Sequence, residues 1–377
     1  MTPIARKIIG TIHLWLGLLS GLVVFIIAIT GCLYSFKHEI QNLIQPYRHV
    51  NLQNKDFLFP SRIQQIADKQ IPDKQIHAVL YAGRTNAAEA IYYNLKEHYF
   101  DIVYMNPYTG EILKIKNMYD DFFSIVLEGH FYLWLPHTIG QPIVASATLL
   151  FVAMLITGLF LWWKKNKPLS KQQYKIKWNV RWRRKNYDLH NILGFYVTWI
   201  GIIFAFTGLI WGFEWFAKST YTIASGGKEF IPYYSPSSDT LYKKNPELSP
   251  IDKIWLKIIQ KYSVAEIIEI HIPDNMSAPI AVSINPDEQT YWKTDYRYFD
   301  QYTLKELKVN HIWNRYDEAS AADKLMRMNY DIHTGGILGL SGKIIAFFGS
   351  LIIASLPVTG FLVWWGRIRK STNKYEI

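Results

Sequence analysis

The stretch HLWLGLLSGLVVFIIAITG, residues 13–31, decides the fold, because it returns later in the chain as HNILGFYVTWIGIIFAFTG, residues 190–208. Both stretches start with histidine, carry glycine four residues later and end in Thr-Gly, so that the histidine lies 17 residues before the threonine in each. A membrane-spanning helix needs about 20 mostly apolar residues to cross roughly 30 Å of hydrocarbon. Each stretch is therefore predicted to lie in a transmembrane helix.

Two further apolar runs resemble each other in the same way, since each holds a Thr-Gly pair and a glycine 17 residues before its threonine. The glycine and threonine positions are Gly140 with Thr157 and Gly342 with Thr359. Repeats of this kind are typical of membrane proteins that arose by duplication. We therefore predict two halves, roughly residues 1–165 and 187–367, each made of a helix, an outer domain and a second helix.

Basic residues are concentrated beside the apolar runs. Three pieces, residues 1–7, 164–185 and 366–377, together carry +15, and the net charge of the chain is +11, which leaves −4 for the rest. This is the positive-inside pattern of a membrane protein rather than the basic surface of a nucleic-acid-binding protein. Both termini and the basic loop are therefore predicted to be cytoplasmic, with the lipid bilayer and no nucleic acid as a partner.

The predicted architecture is a membrane α-helical protein with four transmembrane helices and two small α+β periplasmic domains. The outer stretches combine helical spacing with strand-and-turn patterns, and residues 104–109 have a faint counterpart in residues 298–303. In chain order, the predicted segments are helix 1 (1–36), periplasmic domain 1 (37–142), helix 2 (143–163), the basic cytoplasmic loop (164–191), helix 3 (192–216), periplasmic domain 2 (217–343), helix 4 (344–365) and the cytoplasmic tail (366–377).

Four histidines are candidate ligands, because the duplication places them in two pairs at matching depths. His13 and His190 lie at the cytoplasmic ends of their helices, whereas His130 and His333 lie just outside the periplasmic ends of theirs. One imidazole from each side supplies the two axial ligands of a b-type haem that is held without covalent attachment. Two alternatives stay open, which are hydrogen bonding of the histidines between helices and binding of another metal.

The single cysteine excludes several kinds of cofactor site, and His137 is a second candidate ligand beside His130. The single cysteine, Cys32, excludes a disulfide framework, a cysteine-ligated iron–sulfur cluster and haem attachment through CxxCH. His137 is a competitor of His130, but the repeat aligns it with Gly339 rather than with His333. His130 is therefore preferred as the ligand.

Six further histidines have no counterpart in the other half and are predicted to be ordinary surface or domain residues. They are His38, His49, His77, His98, His271 and His311. Lys343 is predicted to be a charge at the periplasmic membrane edge, with a contact to a ligand or a haem propionate as the alternative.

Five stretches that together span almost the whole chain carry a family resemblance. They are HLWLGLLSGL (13–22), HFYLWLPHTIGQP (130–142), YDLHNILGFY (187–196), DIHTGGILGLSGK (331–343) and LPVTGFLVWWGR (356–367), and MNPYTGEIL (105–113) looks like the strand–turn–strand signature of a PepSY domain. With them the chain resembles the PepSY-associated transmembrane proteins, which include bacterial inner-membrane ferric-siderophore reductases. The resemblance implies two b-type haems with His13, His190, His130 and His333 as axial ligands.

The resemblance also implies a function, which is reduction of a ferric siderophore in the periplasm by a di-haem electron-transfer protein of the bacterial inner membrane. The expected electron donor is a quinol or a cytoplasmic reductase. One alternative is a non-enzymatic, membrane-anchored binding or regulatory protein with structural histidines. Another is an iron or siderophore permease, which should show polar groups at the bilayer midplane, whereas the centres of these spans are apolar.

Overall fold

The protein, analysed as a computed structural model that describes residues 2–163, 174–241, 248–262 and 267–372, consists of two compact units. The helical unit comprises residues 1–36, 125–220 and 332–377, and the sheet unit comprises residues 37–124 and 221–331. Two parts of the predicted cytoplasmic segments, residues 164–173 of the loop and 373–377 of the tail, lie outside the described residues.

Helices and strands follow one another in the same order in the two halves of the chain. The helices are α1 (Pro3–Tyr34), α2 (Lys37–Ile44), α3 (Pro60–Asp68), α4 (Phe122–Tyr132), α5 (His137–Trp162), α6 (Trp182–Gly212), α7 (Glu214–Ala224), α8 (Pro250–Lys261), α9 (Ala321–Thr334) and α10 (Gly339–Thr372). The strands are β1 (Ala78–Ala82), β2 (Ala88–Asn94), β3 (Tyr99–Met105), β4 (Ile112–Asn117), β5 (Ile267–His271), β6 (Ile280–Asn285), β7 (Asp295–Phe299) and β8 (Glu306–Leu307).

Four helices of the helical unit, α1, α5, α6 and α10, are long and apolar enough to cross a membrane. Helix α1 packs against α5 and α10, and α6 packs against the same two, so that the four form a ring with α1 and α6 on one diagonal. Apolar side chains such as Val24, Phe151 and Ile353 fill the inside of the ring. Other large apolar side chains, such as Leu19 and Trp199, are exposed, as lipid-facing residues are.

The ends of the helices differ from the ends that the apolar runs predict. Helix α5 begins at His137 and α10 at Gly339, before the predicted spans 143–163 and 344–365. Helix α6 begins at Trp182 and ends at Gly212, because Phe213 adopts an extended backbone, so that the helix differs from the predicted span 192–216 at both ends. Hydropathy shows where the side chains are apolar, whereas backbone hydrogen bonding continues through the charged first turns of α6.

The sheet unit contains one antiparallel sheet of eight strands in the order β4-β3-β2-β1-β5-β6-β7-β8. Each half of the chain supplies four neighbouring strands, and the halves meet where β1 pairs with β5 around Val79 and Ile270. One face of the sheet packs against α3 and α8 through a core that includes Ile63, Trp255 and Phe299.

The structure thus differs from the prediction of two separate outer domains, 37–142 and 217–343, because the strands of both stretches form one sheet. Each four-stranded half alone would leave β1 or β5 as an edge strand with unpaired N–H and C=O groups. Pairing of β1 with β5 satisfies both edges and merges the halves into one unit. The ends of the predicted domains also differ, because residues 125–142 and 332–343 belong to the helical unit.

The duplication is visible in the turns that follow β3 and β7. The side chains of Asn106 and Asp300 accept the backbone N–H two residues later, and their carbonyls accept the N–H of Gly110 and Leu304, both at 2.9 Å. Gly110 and Leu304 both adopt a left-handed backbone, with φ of 76° and 57°. The similarity between residues 104–109 and 298–303 thus arises because the same turn occurs in both halves of the chain.

Candidate functional site

The four candidate histidines lie in two pairs within the helical unit. The ring centres of His13 and His190 are 6.4 Å apart with an interplanar angle of 75°, and those of His130 and His333 are 6.0 Å apart at 71°. The first pair joins the diagonal helices α1 and α6. The second pair comes from α4 and α9, the helices that precede α5 and α10. The structure thus brings together the residues that the repeat pairs.

A threonine from one of the four long helices holds each of these histidines. In every case the threonine is the one in the repeated Thr-Gly pair, and its Oγ1 lies within hydrogen-bond distance of Nδ1 of the ring. The distances are 2.9 Å for His13 and Thr157, 3.0 Å for His190 and Thr359, 3.2 Å for His130 and Thr30, and 2.7 Å for His333 and Thr207.

The direction of these hydrogen bonds identifies the tautomer. Each threonine hydroxyl donates to the carbonyl four residues earlier in its own helix, so that its oxygen is left to accept from Nδ1. Nδ1 of His130 also lies 2.8 Å from the carbonyl of Ile27, which can only accept. Nδ1 therefore carries the proton. Among the residues that the structure describes, no hydrogen-bond partner is found for Nε2 of the four rings.

A neutral imidazole with a free Nε2 is the form that binds a metal. Burial lowers the pKa of His130 and that of His333, the latter to about 3, which favours the neutral ring. Ligating histidines almost always donate their second ring nitrogen to a fixed acceptor, which orients the ring. The Thr-Gly threonines provide this acceptor four times.

The glycines of two Thr-Gly pairs, Gly31 and Gly360, provide space for a histidine ring. A Cβ atom on Gly31 would lie 3.1 Å from Cε1 of His130, and one on Gly360 would lie 3.0 Å from Cε1 of His190. These distances are shorter than ordinary van der Waals contact between carbon atoms. A side chain at either position would therefore push the ring away from its threonine.

A second pair of glycines positions His130 and His333. A Cβ atom on Gly140 would lie 2.1 Å from the carbonyl oxygen of Tyr132, and one on Gly342 would lie 2.0 Å from that of Gly335. Only glycine allows two backbones to approach so closely. The close contacts hold the last turns of α4 and α9 against the first turns of α5 and α10.

The ligand count favours haem over another metal. No cluster of three or more His, Cys, Asp or Glu residues able to hold a metal occurs in the described ranges, so each pair offers two protein ligands. A structural zinc ion needs four, whereas a porphyrin leaves only two axial positions open. An iron bound at about 2 Å to one nitrogen of each ring separates the ring centres by about 6 Å. The observed separations fit this arrangement.

The other predicted positions lie apart from the pairs. His137 is exposed at the start of α5, with its ring 5.0 Å from that of Tyr132. Lys343, predicted at the membrane edge, is only 8% exposed. Three of the six remaining histidines contact ordinary neighbours, since His38 pairs with Glu288, His49 bonds Asn86 and His98 stacks on Tyr119. His311 is buried and bonds the carbonyl of Tyr234.

His77 and His271 are different, because they contact each other. Nε2 of His77 lies 3.2 Å from Nδ1 of His271. They are predicted to be ordinary surface or domain residues, and only the pairing of β1 with β5 brings them together, since each belongs to a different half.

Comparison with known proteins identifies the family of the chain. A family model described as the PepSY-associated TM region matches residues 11–367. A search of curated proteins finds no match to the chain. Because the family match includes all four long helices and the sheet unit, the protein belongs to the PepSY-associated transmembrane family.

Proposed function

We propose that the protein is a ferric-siderophore reductase of the bacterial inner membrane that holds two b-type haems. The observation that carries the proposal is the arrangement of the two histidine pairs. In each of the four rings a threonine fixes Nδ1, and Nε2 has no partner among the described residues. The ring centres within the two pairs are 6.4 Å and 6.0 Å apart, which is about the separation of two imidazoles bound to one iron.

Different residues of the chain would bind the iron and orient its ligands. His13 with His190 and His130 with His333 would bind the two irons, and the threonines orient the rings and strengthen their basicity. The apolar ring of helices excludes water. When bound there, haem supplies a reversible one-electron change at iron.

The two pairs lie toward opposite membrane faces. His13 and His190 precede Thr30 and Thr207 by 17 residues, or about 26 Å along a helix at 1.5 Å per residue. Thr30 and Thr207 in turn hold His130 and His333. The basic residues near His190 favour the cytoplasmic side of the membrane for His13 and His190, which we call the inner pair, whereas His130 and His333 form the outer pair. We therefore propose that electrons enter at the inner pair and leave at the outer pair.

Reduction explains how iron would be released. A siderophore with hard oxygen donors binds Fe(III) far more tightly than the softer, less charged Fe(II). One electron delivered to the chelate therefore lowers its affinity for iron, and neither a catalytic acid nor a base is required. The electron donor, a quinol or a cytoplasmic reductase, belongs to the same proposal.

A reoxidation experiment tests this function. Purified protein is reduced with dithionite, freed of excess reductant without oxygen, and mixed with a ferric hydroxamate siderophore in the presence of a ferrous chelator. The protein should reoxidise, and one ferrous complex should form for each electron lost. A protein that stays reduced in the presence of the chelate contradicts the proposal.

The Thr-Gly glycines give a second expected result. Gly360→Ala should weaken haem binding at the inner pair and shift its spectrum, because the new methyl group would lie 3.0 Å from Cε1 of His190. Gly366→Ala is the matched control, since it lies in the same helix and a Cβ there meets no atom within 4 Å. Both changes improve helix propensity equally. Equal haem content and spectra in the two variants would show that Gly360 does not make room for the ring.

A further inference from the structure

The pair formed by His77 and His271 lies where the two halves of the sheet join. His271 is opposite Ala78 in the pairing of β1 with β5, and His77 immediately precedes that residue. The ring centres are 5.0 Å apart, and Nε2 of His77 lies 3.2 Å from Nδ1 of His271. The two nitrogens are within hydrogen-bond distance of each other. With the proton of each ring on its other nitrogen, both lone pairs are free to bind one ion.

Both histidines line a cleft of about 620 Å³ in the sheet unit. The cleft has aromatic and polar walls, which include Tyr93, Tyr99, Asp274 and Trp313. His77 is exposed and His271 is partly exposed, so that solvent and small ions reach the pair. A cleft of this kind is the usual location of a binding site.

The separation of the nitrogens matches that of two ligands on one metal. Two nitrogens bound at about 2 Å to a tetrahedral or octahedral ion lie about 3 Å apart. The carboxylate of Glu269 lies 3.8 Å from Nε2 of His271, the nitrogen that does not face His77. This distance is longer than a hydrogen bond, so the carboxylate acts on the pair through its charge rather than by orienting the ring.

The charge around the pair also suits a cation. Glu269 and Asp274 supply negative charge close to His77. Neutral imidazole is a good ligand for iron, zinc, copper and nickel ions.

We propose that His77 and His271 form a binding site for a divalent first-row transition metal ion, and that the ferrous iron released by reduction is the ion it receives. The second part rests on the proposed reductase function, whereas the first does not. Two protein ligands with water in the remaining positions make an exchangeable site rather than a structural one. The site would thus hold Fe(II) briefly in a cleft after it leaves the siderophore.

Zinc binding tests the site independently of haem and of reduction. The purified full-length protein is dialysed against Zn(II) without chelating buffer, and bound zinc is measured by mass spectrometry over a range of free concentrations. Wild type should bind one zinc more per chain than the His77→Gln/His271→Gln double variant, and each single variant should bind it at least tenfold more weakly. His49→Gln is the control, because this histidine bonds Asn86 in the same unit and should leave zinc binding unchanged.

Two further variants and readouts separate the possible explanations. His77→Asp should retain part of the affinity for zinc, because a carboxylate also binds zinc. If the two rings only form a hydrogen bond with each other, no variant should bind zinc at this pair. The far-UV circular dichroism spectrum of each variant reports whether the protein remains folded, so that this control does not depend on haem. Equal zinc binding by wild type and the double variant overturns the site. If the protein binds zinc at this pair but does not reduce the siderophore, the metal site is supported and ferrous iron is excluded as the ion that it receives.

Discussion

His333→Ala is expected to remove one of the two haems and to leave the other in place. Each iron needs an imidazole from both sides to be six-coordinate and low-spin. His333 is paired with His130, and the other pair holds its rings through different threonines. The measurement is haem per chain by pyridine haemochrome, together with the spectrum of the remaining haem, which should stay low-spin.

The pairing makes the effects of other variants predictable. His130→Ala should remove the same haem as His333→Ala, and the double variant should lose no more than either single one, because effects within one unit are not additive. His13→Ala and His190→Ala should remove the other haem. His137→Ala is the control, since that residue is exposed beyond the pair. Loss of a haem in His137→Ala but not in His130→Ala would show that the repeat was aligned incorrectly around Gly140.

Siderophore reduction is expected to fall to the rate without protein in His333→Ala. The outer pair is proposed as the exit to the ferric chelate, so its loss separates the inner haem from the acceptor. The inner haem should still be reduced by dithionite. This result would show that the variant is folded and that its inner haem accepts electrons. Formation of the ferrous complex after mixing with ferric siderophore is the measurement. Wild-type rates in this variant would exclude the outer pair as the exit.

The sequence predicted the histidine pairs because duplication copies residues at fixed spacing. Seventeen residues from His13 to Thr30 and from His190 to Thr207 set matching depths in two helices. The same spacing did not disclose why threonine and glycine recur, because the contact runs to a ring on another helix. Thr157, for example, holds His13 from α5. Such a role is found once the packing of the helices is known.

The sheet could be predicted only within each half. Strand and turn patterns in residues 88–111 mark a local antiparallel arrangement, which β2, β3 and the turn at Asn106 show. The pairing of β1 with β5 joins residues almost two hundred positions apart, and nothing in the local pattern of either strand indicates it. The contact between His77 and His271 depends on that pairing. For this reason the sequence alone indicates nothing that links the two histidines.

The most direct measurement is the haem content of the purified wild-type protein, expressed with sufficient haem supply. Four histidines with fixed Nδ1 and free Nε2 should give about two non-covalent haems per chain, a low-spin spectrum and full extraction by acid-acetone. A colourless protein of normal fold would contradict the two haem sites. The histidines would then serve only as hydrogen-bond donors between helices, as expected of a non-enzymatic binding or regulatory protein.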